Sequence, residues 1–210
     1  MIYERPLPAE SRSDTRAKEK QEIRRQLHPQ LREYWRWHPQ LNFSENYGPG
    51  VAANYERFGF KFLPLITKAN GLACPLDILF LRRDMPGGLV KYGGDLDNRM
   101  KTFMDGLRIP DTREELAGDT PTDDTKDIFY CLMDTDALIT EVNIASDLKL
   151  RPITDRVNDV VIVMNVWVKI VRYVPFSPGT GHRVPGGARS SARAAQVEVS
   201  YGRISALECR

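Results

Sequence analysis

The sequence predicts an α/β (α+β) fold, in which a mixed β-sheet of about four to five strands has helices packed on it. Two patterns of apolar residues support this fold class. Strand-like runs occur at residues 58–62, 76–81, 138–144 and 160–174, and helix-like runs begin near Thr15 and Asp97. Because 41% of the 210 residues are apolar, the chain can bury one core of ordinary size.

The chain divides into a central domain with a segment of different composition on each side. The predicted units are an N-terminal helical extension (1–41), a central core (42–175) with an acidic insert at 110–128, and a flexible basic tail (176–210). Gly, Pro and Arg in the tail are typical of a flexible segment. Residues 1–14 are polar and contain proline, so we expect them to be frayed.

The helix predicted from Thr15 has an apolar face and a basic face. The apolar residues are Ile23, Leu27, Leu31, Tyr34 and Trp35. The basic residues are Lys18, Lys20, Arg24, Arg25, Arg32 and Arg36. Pro29 lies inside the pattern and is expected to kink or divide the helix. The basic face either follows a phosphate backbone or is an ordinary solvated surface that packs on the sheet or on a second subunit.

The acidic insert is the opposite kind of charged segment. Its carboxylates are Asp111, Glu114, Glu115, Asp119, Asp123, Asp124 and Asp127. Because it has little apolar content before Ile128, we expect an exposed, mobile loop. It is either a movable guard near a site or an inert surface insertion.

Turn residues separate the predicted strands. Aromatic residues alternate across 58–62 as on a half-buried strand face, and Pro64 should place that strand at an edge or end it. Asn70-Gly71 predicts a hairpin turn into the strand at 76–81. The run 160–174 is apolar on both faces, which is typical of a central strand.

Bulk properties exclude several classes of protein. The cysteines, Cys74, Cys131 and Cys209, are odd in number and widely spaced. This pattern suits a reducing compartment and indicates neither a disulfide framework nor a zinc site. No secretion signal or membrane-spanning run is evident, so a soluble cytoplasmic protein is expected. His28 and His38 have no third ligand nearby and are expected at the surface or at a helix end.

The most unusual stretch runs from Gly94 to Leu107 and combines two carboxylates, an amide and a lysine. Its apolar residues are Met100, Phe103, Met104 and Leu107. This spacing marks one buried helix face and places the helix start near Asp97. Asp97 and Lys101 then lie on one side of the helix. Asp95 precedes the helix in extended chain, where residues two apart point the same way, so both carboxylates can face one point.

Carboxylates in this arrangement suit a hard divalent cation, whereas the simpler interpretation is an acidic helix cap. A second acidic cluster, Asp134-Thr135-Asp136, opens a later strand. Carboxylates from a helix start and a strand start can meet in one cleft. The sequence therefore favours a metal site over a cap.

These residues resemble the RusA family of Holliday junction resolvases. The matching runs are Asp95-Leu96-Asp97-Asn98-x-x-Lys101-x-x-x-Asp105-x-Leu107 and Thr135-Asp136-Ala137-Leu138-Ile139. The resemblance implies a RusA-like core and a homodimeric endonuclease that cuts four-way DNA junctions. It implies Mg²⁺ as the cofactor, with Mn²⁺ as a tolerated substitute.

The resemblance also implies roles for single residues. The implied catalytic residues are Asp95, Asp97, Lys101 and Asp136, and the three aspartates among them are the metal ligands. Asp134 is a fallback for the third aspartate. Thr135 stands where the family has an aspartate, and Leu138 stands where it often has a glutamine.

Basic residues surround the proposed metal ligands in the sequence. They are Arg82, Arg83, Lys91 and Arg99. We expect them to hold DNA phosphates beside the carboxylates and to offset the repulsion between the two. The alternative is that they are solvated charges at strand ends.

The predicted function is hydrolysis of phosphodiester bonds in branched DNA during recombination and repair. The three aspartates would hold magnesium, Lys101 would stabilise the transition state and Asn98 would orient a carboxylate. One alternative is a glycosyltransferase that binds its metal through Asp-x-Asp, although no Gly-rich phosphate loop precedes the motif. Another alternative is a non-catalytic DNA-binding relative.

Overall fold

Two β-sheets and two α-helices make up the described part of the chain. A computed structural model describes residues 1–8, 13–37, 55–69, 71–83, 95–150, 158–171 and 202–204. The strands are β1 (Ile2–Pro6), β2 (Glu56–Arg57), β3 (Phe60–Ile66), β4 (Leu72–Arg82), β5 (Phe129–Met133), β6 (Ile139–Leu148), β7 (Asp159–Ile170) and β8 (Gly202–Ile204). The helices are α1 (Ser13–Trp37) and α2 (Asp95–Leu107), and 3-10 turns cover Arg113–Leu116 and Asp136–Leu138. The predicted α/β (α+β) class is confirmed.

The larger sheet has the strand order β1-β7-β4-β6, and β8 also pairs with β7. β4 is parallel to β6 and antiparallel to β7. Alternate residues of β4, including Leu76, Ile78 and Phe80, are buried against the core because side chains along a strand point to opposite faces. β7 pairs with β4 on one side and with β1 and β8 on the other, so its predicted central position is confirmed.

β1 is an integral strand of this sheet rather than a frayed end. It pairs antiparallel with residues 159–163 of β7. Tyr3 and Leu7 are buried, and the Tyr3 ring packs edge-on against Phe103 of α2 at 5.7 Å between centroids. The prediction that 1–14 is frayed was therefore wrong for this strand, because its stability comes from a distant pairing partner that local composition does not reveal.

The smaller sheet has the order β2-β3-β5 and its own aromatic cluster. The ring centroids of Phe60, Phe62 and Phe129 are 5.4–5.5 Å apart. Phe58, which was predicted on the same strand face, instead lies in the turn between β2 and β3 with φ 54°, followed by Gly59 with φ 87°. Two consecutive positive φ angles form the tight turn that fits the twist of antiparallel strands.

The turn before Gly71 connects the two sheets instead of forming a hairpin. The Gly71 N–H donates to the Lys68 carbonyl at 3.0 Å, so a tight turn does form there. Beyond it, however, β3 pairs with β2 and β5, and β4 pairs with β6 and β7. The hairpin prediction was wrong because a turn fixes the direction of the chain but not the partner of each strand. β3 continues through Pro64, which lies opposite Cys131 of β5.

The two helices pack against each other through their predicted apolar faces. The buried apolar residues are Ile23, Leu27, Leu31 and Trp35 in α1, and Met100, Phe103 and Leu107 in α2. α1 continues undivided through Pro29, which is exposed. The helices approach closely at Gly106, where an added Cβ would lie 2.8 Å from the Ile23 Cβ. Only glycine fits this crossing without movement of the backbone.

Candidate functional site

A cleft of about 580 Å³ lies between α2 and the beginning of β6. Its polar lining residues are Asp97, Lys101, Asp105 and Asp136, and its apolar ones are Leu96, Met100, Met104, Ile139 and Ile144. The structure therefore brings three of the four predicted catalytic residues, Asp97, Lys101 and Asp136, to one concave surface.

One side of α2 supplies most of the charge in this cleft. Asp97, Lys101 and Asp105 follow each other at four-residue spacing and so form a row along the helix. Asp97 and Lys101 are exposed, and neither has an ion-pair partner among the described side chains. Asp105 forms a 2.7 Å ion pair with Lys20 of α1. No role was predicted for Asp105, although its spacing from Lys101 was a visible signal.

α2 begins at Asp95, two residues earlier than predicted. Asp97 then lies in the first turn, where a carboxylate interacts favourably with the positive end of the helix dipole. The argument that Asp95 and Asp97 point the same way in extended chain therefore does not apply. The side chain of Asp95 lies outside the described part of the structure. Among the described residues, no group of three or more His, Cys, Asp or Glu side chains could hold a metal ion.

Asp136 reaches the cleft from the 3-10 turn that precedes β6. Thr135 caps this turn, and its hydroxyl accepts from the Ala137 N–H at 3.4 Å. The Asp136 side chain is 50% exposed, and one of its oxygens lies 4.0 Å from the Arg108 Nε. The carboxylate is thus accessible from the cleft and has one described cation beside it.

Asp134, the fallback for the third aspartate, has a different environment. Its Oδ2 accepts from the Lys68 N–H at 3.1 Å and from the Tyr55 hydroxyl at 3.4 Å. Burial and the charge of Asp134 raise the pKa of Tyr55 above its ordinary value. Asp134 is not among the residues that line the cleft. Its contacts secure the end of β5 to the turn after β3.

Two of the predicted DNA-binding residues, Arg82 and Arg83, lie far from Asp136. β6 begins beside Cys74, near one end of β4, whereas Arg82 is at the other end of β4. Eight residues of extended strand span about 26 Å. Arg82 is also buried, with 3% exposure, while Arg83 just beyond it is exposed. Their closeness to the acidic stretch in the sequence did not predict closeness to the third aspartate.

Arg99 and Lys91 complete the predicted basic ring. Arg99 is 4% exposed and donates to the Asn158 Oδ1 at 3.4 Å, next to the start of β7. Its guanidinium is therefore turned toward the protein and not toward a phosphate in solvent. Lys91 lies outside the described residues. The predicted ring of four exposed cations is corrected, since burial removes Arg82 and Arg99 from it.

Three arginines from the basic face of α1 contact the acidic insert. Arg25 makes a two-pronged contact with Asp119, at 2.7 Å from Nε and 2.8 Å from Nη2, and Arg32 pairs with Asp124. Burial acts to raise the pKa of Asp119, but hydrogen bonds from Arg25 and Gln21 and the charge of Arg25 together lower it. Most of the insert is exposed, as expected, but three of its carboxylates, Glu115, Asp119 and Asp124, bind arginines of the helix.

Arg24 lies beneath this contact and is completely buried. Its guanidinium donates to the carbonyls of Asp105 and Arg108 at 3.1 and 2.8 Å, and to the Glu115 carboxylate at 3.1 Å. Burial lowers the pKa of Arg24, and Glu115 partly offsets this effect. A cation at the last carbonyls of α2 also interacts favourably with the negative end of its dipole. Arg24 was predicted on the basic surface, but it joins α1, α2 and the insert.

His28 is buried as well, contrary to the expected surface position. Its Nδ1 accepts from the Tyr130 N–H at 3.0 Å, and its Nε2 lies 3.3 Å from the Asp124 carbonyl. An accepting Nδ1 requires the neutral ring with its proton on Nε2. Burial lowers the pKa of His28 below 6.5, although Asp124 opposes this. His28 is thus a structural residue, and His38 lies outside the described residues.

The thiols of Cys74 and Cys131 are buried and free. Burial raises the pKa of each to about 12, so neither is a nucleophile near neutral pH. Cys209 lies outside the described residues.

The described part of the chain contains no helix that is long and apolar enough to cross a bilayer. Comparison of the chain with protein-family models, curated proteins and solved structures gives no significant match.

Proposed function

We propose that the protein is a magnesium-dependent, structure-specific endodeoxyribonuclease that cuts Holliday junctions or other branched DNA during recombination and repair. The observation that carries the proposal is the single cleft shared by Asp97, Lys101 and Asp136. The resemblance to the RusA family assigns catalysis to these three residues and to Asp95. Two carboxylates and an ammonium group on one accessible surface suit phosphodiester hydrolysis.

The donor set of the cleft fits magnesium. Asp97 and Asp136 offer hard carboxylate oxygens, and both side chains are exposed. Magnesium is commonly bound through one or two carboxylates while keeping several waters, so a partly open site is suitable. Asp95 would contribute a third carboxylate, as the resemblance implies. When bound, the ion would supply charge neutralisation at the phosphate and activation of water.

Lys101 has a separate role in this proposal. Lys101 lies one helical turn from Asp97, and its ammonium group has no described carboxylate partner. It can therefore approach a phosphate oxygen and stabilise the negative charge that increases in the transition state. Asp105 is held by Lys20, so it competes little for Lys101.

A four-way junction is symmetric and needs two matched cuts. Two copies of the chain related by a two-fold axis would present two clefts with that symmetry. We therefore include a homodimer in the proposal, as the resemblance implies.

The test uses labelled four-way junction, fork and linear duplex, with and without magnesium. We expect paired nicks in the junction that depend on magnesium. Asp97→Asn and Asp136→Asn should abolish cleavage while junction binding stays near normal, because each removes a proposed metal ligand and leaves the basic side chains in place. Asp134→Asn is the matched control, since Asp134 lies two residues from Asp136 but does not line the cleft, and it should keep cleavage.

Three outcomes would overturn the proposal. The nuclease assignment fails if Asp97→Asn cuts junctions at the wild-type rate in magnesium. Protection by a nucleotide sugar with metal, but not by DNA, would instead select a glycosyltransferase. Junction binding without any metal binding would select a non-catalytic DNA-binding protein.

A further inference from the structure

Arg108 connects the acidic insert to the candidate site. It directly follows α2, and its backbone forms a parallel bridge with Met133, the last residue of β5. The next residue strengthens this link, since the Ile109 N–H donates to the Met133 carbonyl at 3.0 Å. Arg108 is therefore fixed at the end of α2, beside Met133. Asp136 follows Met133 by three residues in the sequence.

The guanidinium of Arg108 is held on its other side by the acidic insert. Its Nη2 lies 2.8 Å from the Glu115 Oε1, and its Nη1 lies 2.8 Å from the Asp111 Oδ2. The side chain is largely buried, so these contacts fix its direction. Its remaining nitrogen, Nε, lies 4.0 Å from the Asp136 Oδ2. This last contact is an ion pair at longer range than a hydrogen bond, so the planar guanidinium faces three carboxylates and hydrogen bonds to Glu115 among them.

We propose that Arg108 is a positioning residue that holds the Asp136 carboxylate in the orientation needed for metal binding. This inference rests on the proposed function. Asp136 lies on a single short turn, and its other described side-chain contact is a 3.5 Å hydrogen bond from the Thr135 hydroxyl. Glu115 and Asp111 neutralise much of the Arg108 charge, so the arginine can orient Asp136 without strongly repelling a divalent cation.

The test compares Arg108→Gln with Arg25→Gln. Arg25 also binds the acidic insert, but it does so through Asp119, Thr120 and Thr122 and not near Asp136. Two measurements are made on the full chain: Mn²⁺ binding followed by electron paramagnetic resonance, and the Mg²⁺ concentration for half-maximal junction cleavage. In Arg108→Gln we expect the dissociation constant for Mn²⁺ and the half-maximal Mg²⁺ concentration each to rise roughly tenfold. This is the lower end of the effect seen for residues that orient metal ligands. The maximal rate at saturating Mg²⁺ should change little.

Arg25→Gln should leave both constants unchanged, which separates orientation of Asp136 from general loosening of the insert. Arg108→Lys keeps the positive charge but loses the planar guanidinium, so we expect a smaller rise in both metal concentrations. This variant is the one to measure if Arg108→Gln does not fold. Unchanged Mn²⁺ binding in a folded Arg108 variant would overturn the inference. If the wild-type protein binds Mn²⁺ but cuts no DNA, the proposed function fails, while weaker Mn²⁺ binding by the variant would still support the role of Arg108.

Discussion

The charged residues of α1 and those of the cleft differ in how they are paired. Arg24, Arg25 and Arg32 each contact a carboxylate of the acidic insert. In the cleft, Asp97 and Lys101 are exposed and have no ion-pair partner among the described side chains. Charges that neutralise one another within the fold exert little electrostatic attraction on a ligand. The unpaired charges of the cleft are therefore the better candidates for function, although the basic face of α1 is the more conspicuous feature of the sequence.

Replacement of Arg24 should give the largest effect on stability and tests the paired region. Arg24→Met removes a fully buried cation, takes one of two arginine partners from Glu115 and leaves the carbonyls of Asp105 and Arg108 without this donor. We expect a loss of about 3–5 kcal/mol in the free energy of unfolding, the usual result of breaking a buried pair. Denaturant unfolding measures it.

The control for Arg24 is Arg36→Met. Arg36 pairs with Glu33 in the same helix, but its side chain is 71% exposed. An exposed pair of this kind contributes at most about 1 kcal/mol. Equal losses in the two variants would contradict the view that burial separates Arg24 from the solvated part of the basic face.

Replacement of Lys101 tests the cleft and should affect activity without affecting stability. Lys101→Met removes the proposed charge at the phosphate, and we expect cleavage to fall roughly a hundredfold, as when one donor to a transition state is deleted. The free energy of unfolding should change by less than about 0.5 kcal/mol because the side chain is exposed. Lys126→Met, an exposed change in the acidic insert, should leave cleavage intact. Equal cleavage by both variants would argue against a role for Lys101.

The smallest expected effect is a pH dependence from His28. Because its pKa is lowered in the folded protein, the unfolded chain takes up the proton first as the pH falls below about 6.5. The stabilising effect of neutral His28 is thus complete above pH 6.5 and decreases as the pH falls toward the folded-state pKa. One proton changes the free energy of unfolding by at most about 1.4 kcal/mol per pH unit.

Unfolding curves between pH 7.5 and 5.5 would measure this slope, with His28→Gln as the comparison. The variant lacks the titrating group and should show a flatter pH dependence in this window. An identical slope in both proteins would assign the effect to other groups.

Local periodicity was enough to predict part of the fold. The apolar spacing of α2 and the two-sided apolar run of β7 are properties of neighbouring residues, and both predictions are confirmed. β1 and the turn at Phe58 were missed. In the first case the partner strand is distant in the sequence, and in the second the positive φ falls on a residue that usually avoids it.

The candidate site was predictable to a similar extent. Asp97 and Lys101 share a helix side by spacing alone, and the acidic cluster before β6 pointed to Asp136, which lines the same cleft. The environments of the arginines were not predictable. Arg24 and Arg25 are adjacent in one basic run, yet only the tertiary packing buries the first and leaves the second at the surface.

The pairing of β1 with β7 also affects how the chain folds. The backbone nitrogen of Met1 donates to the carbonyl of Met164, 163 positions away. At a synthesis rate of 5–20 residues per second, β1 waits about 8–30 s before its partner strand exists. Contacts of such high sequence separation slow folding. β4 is also made before its two partners, β6 and β7. During synthesis, the larger sheet can therefore be completed only after the strands of the smaller sheet exist.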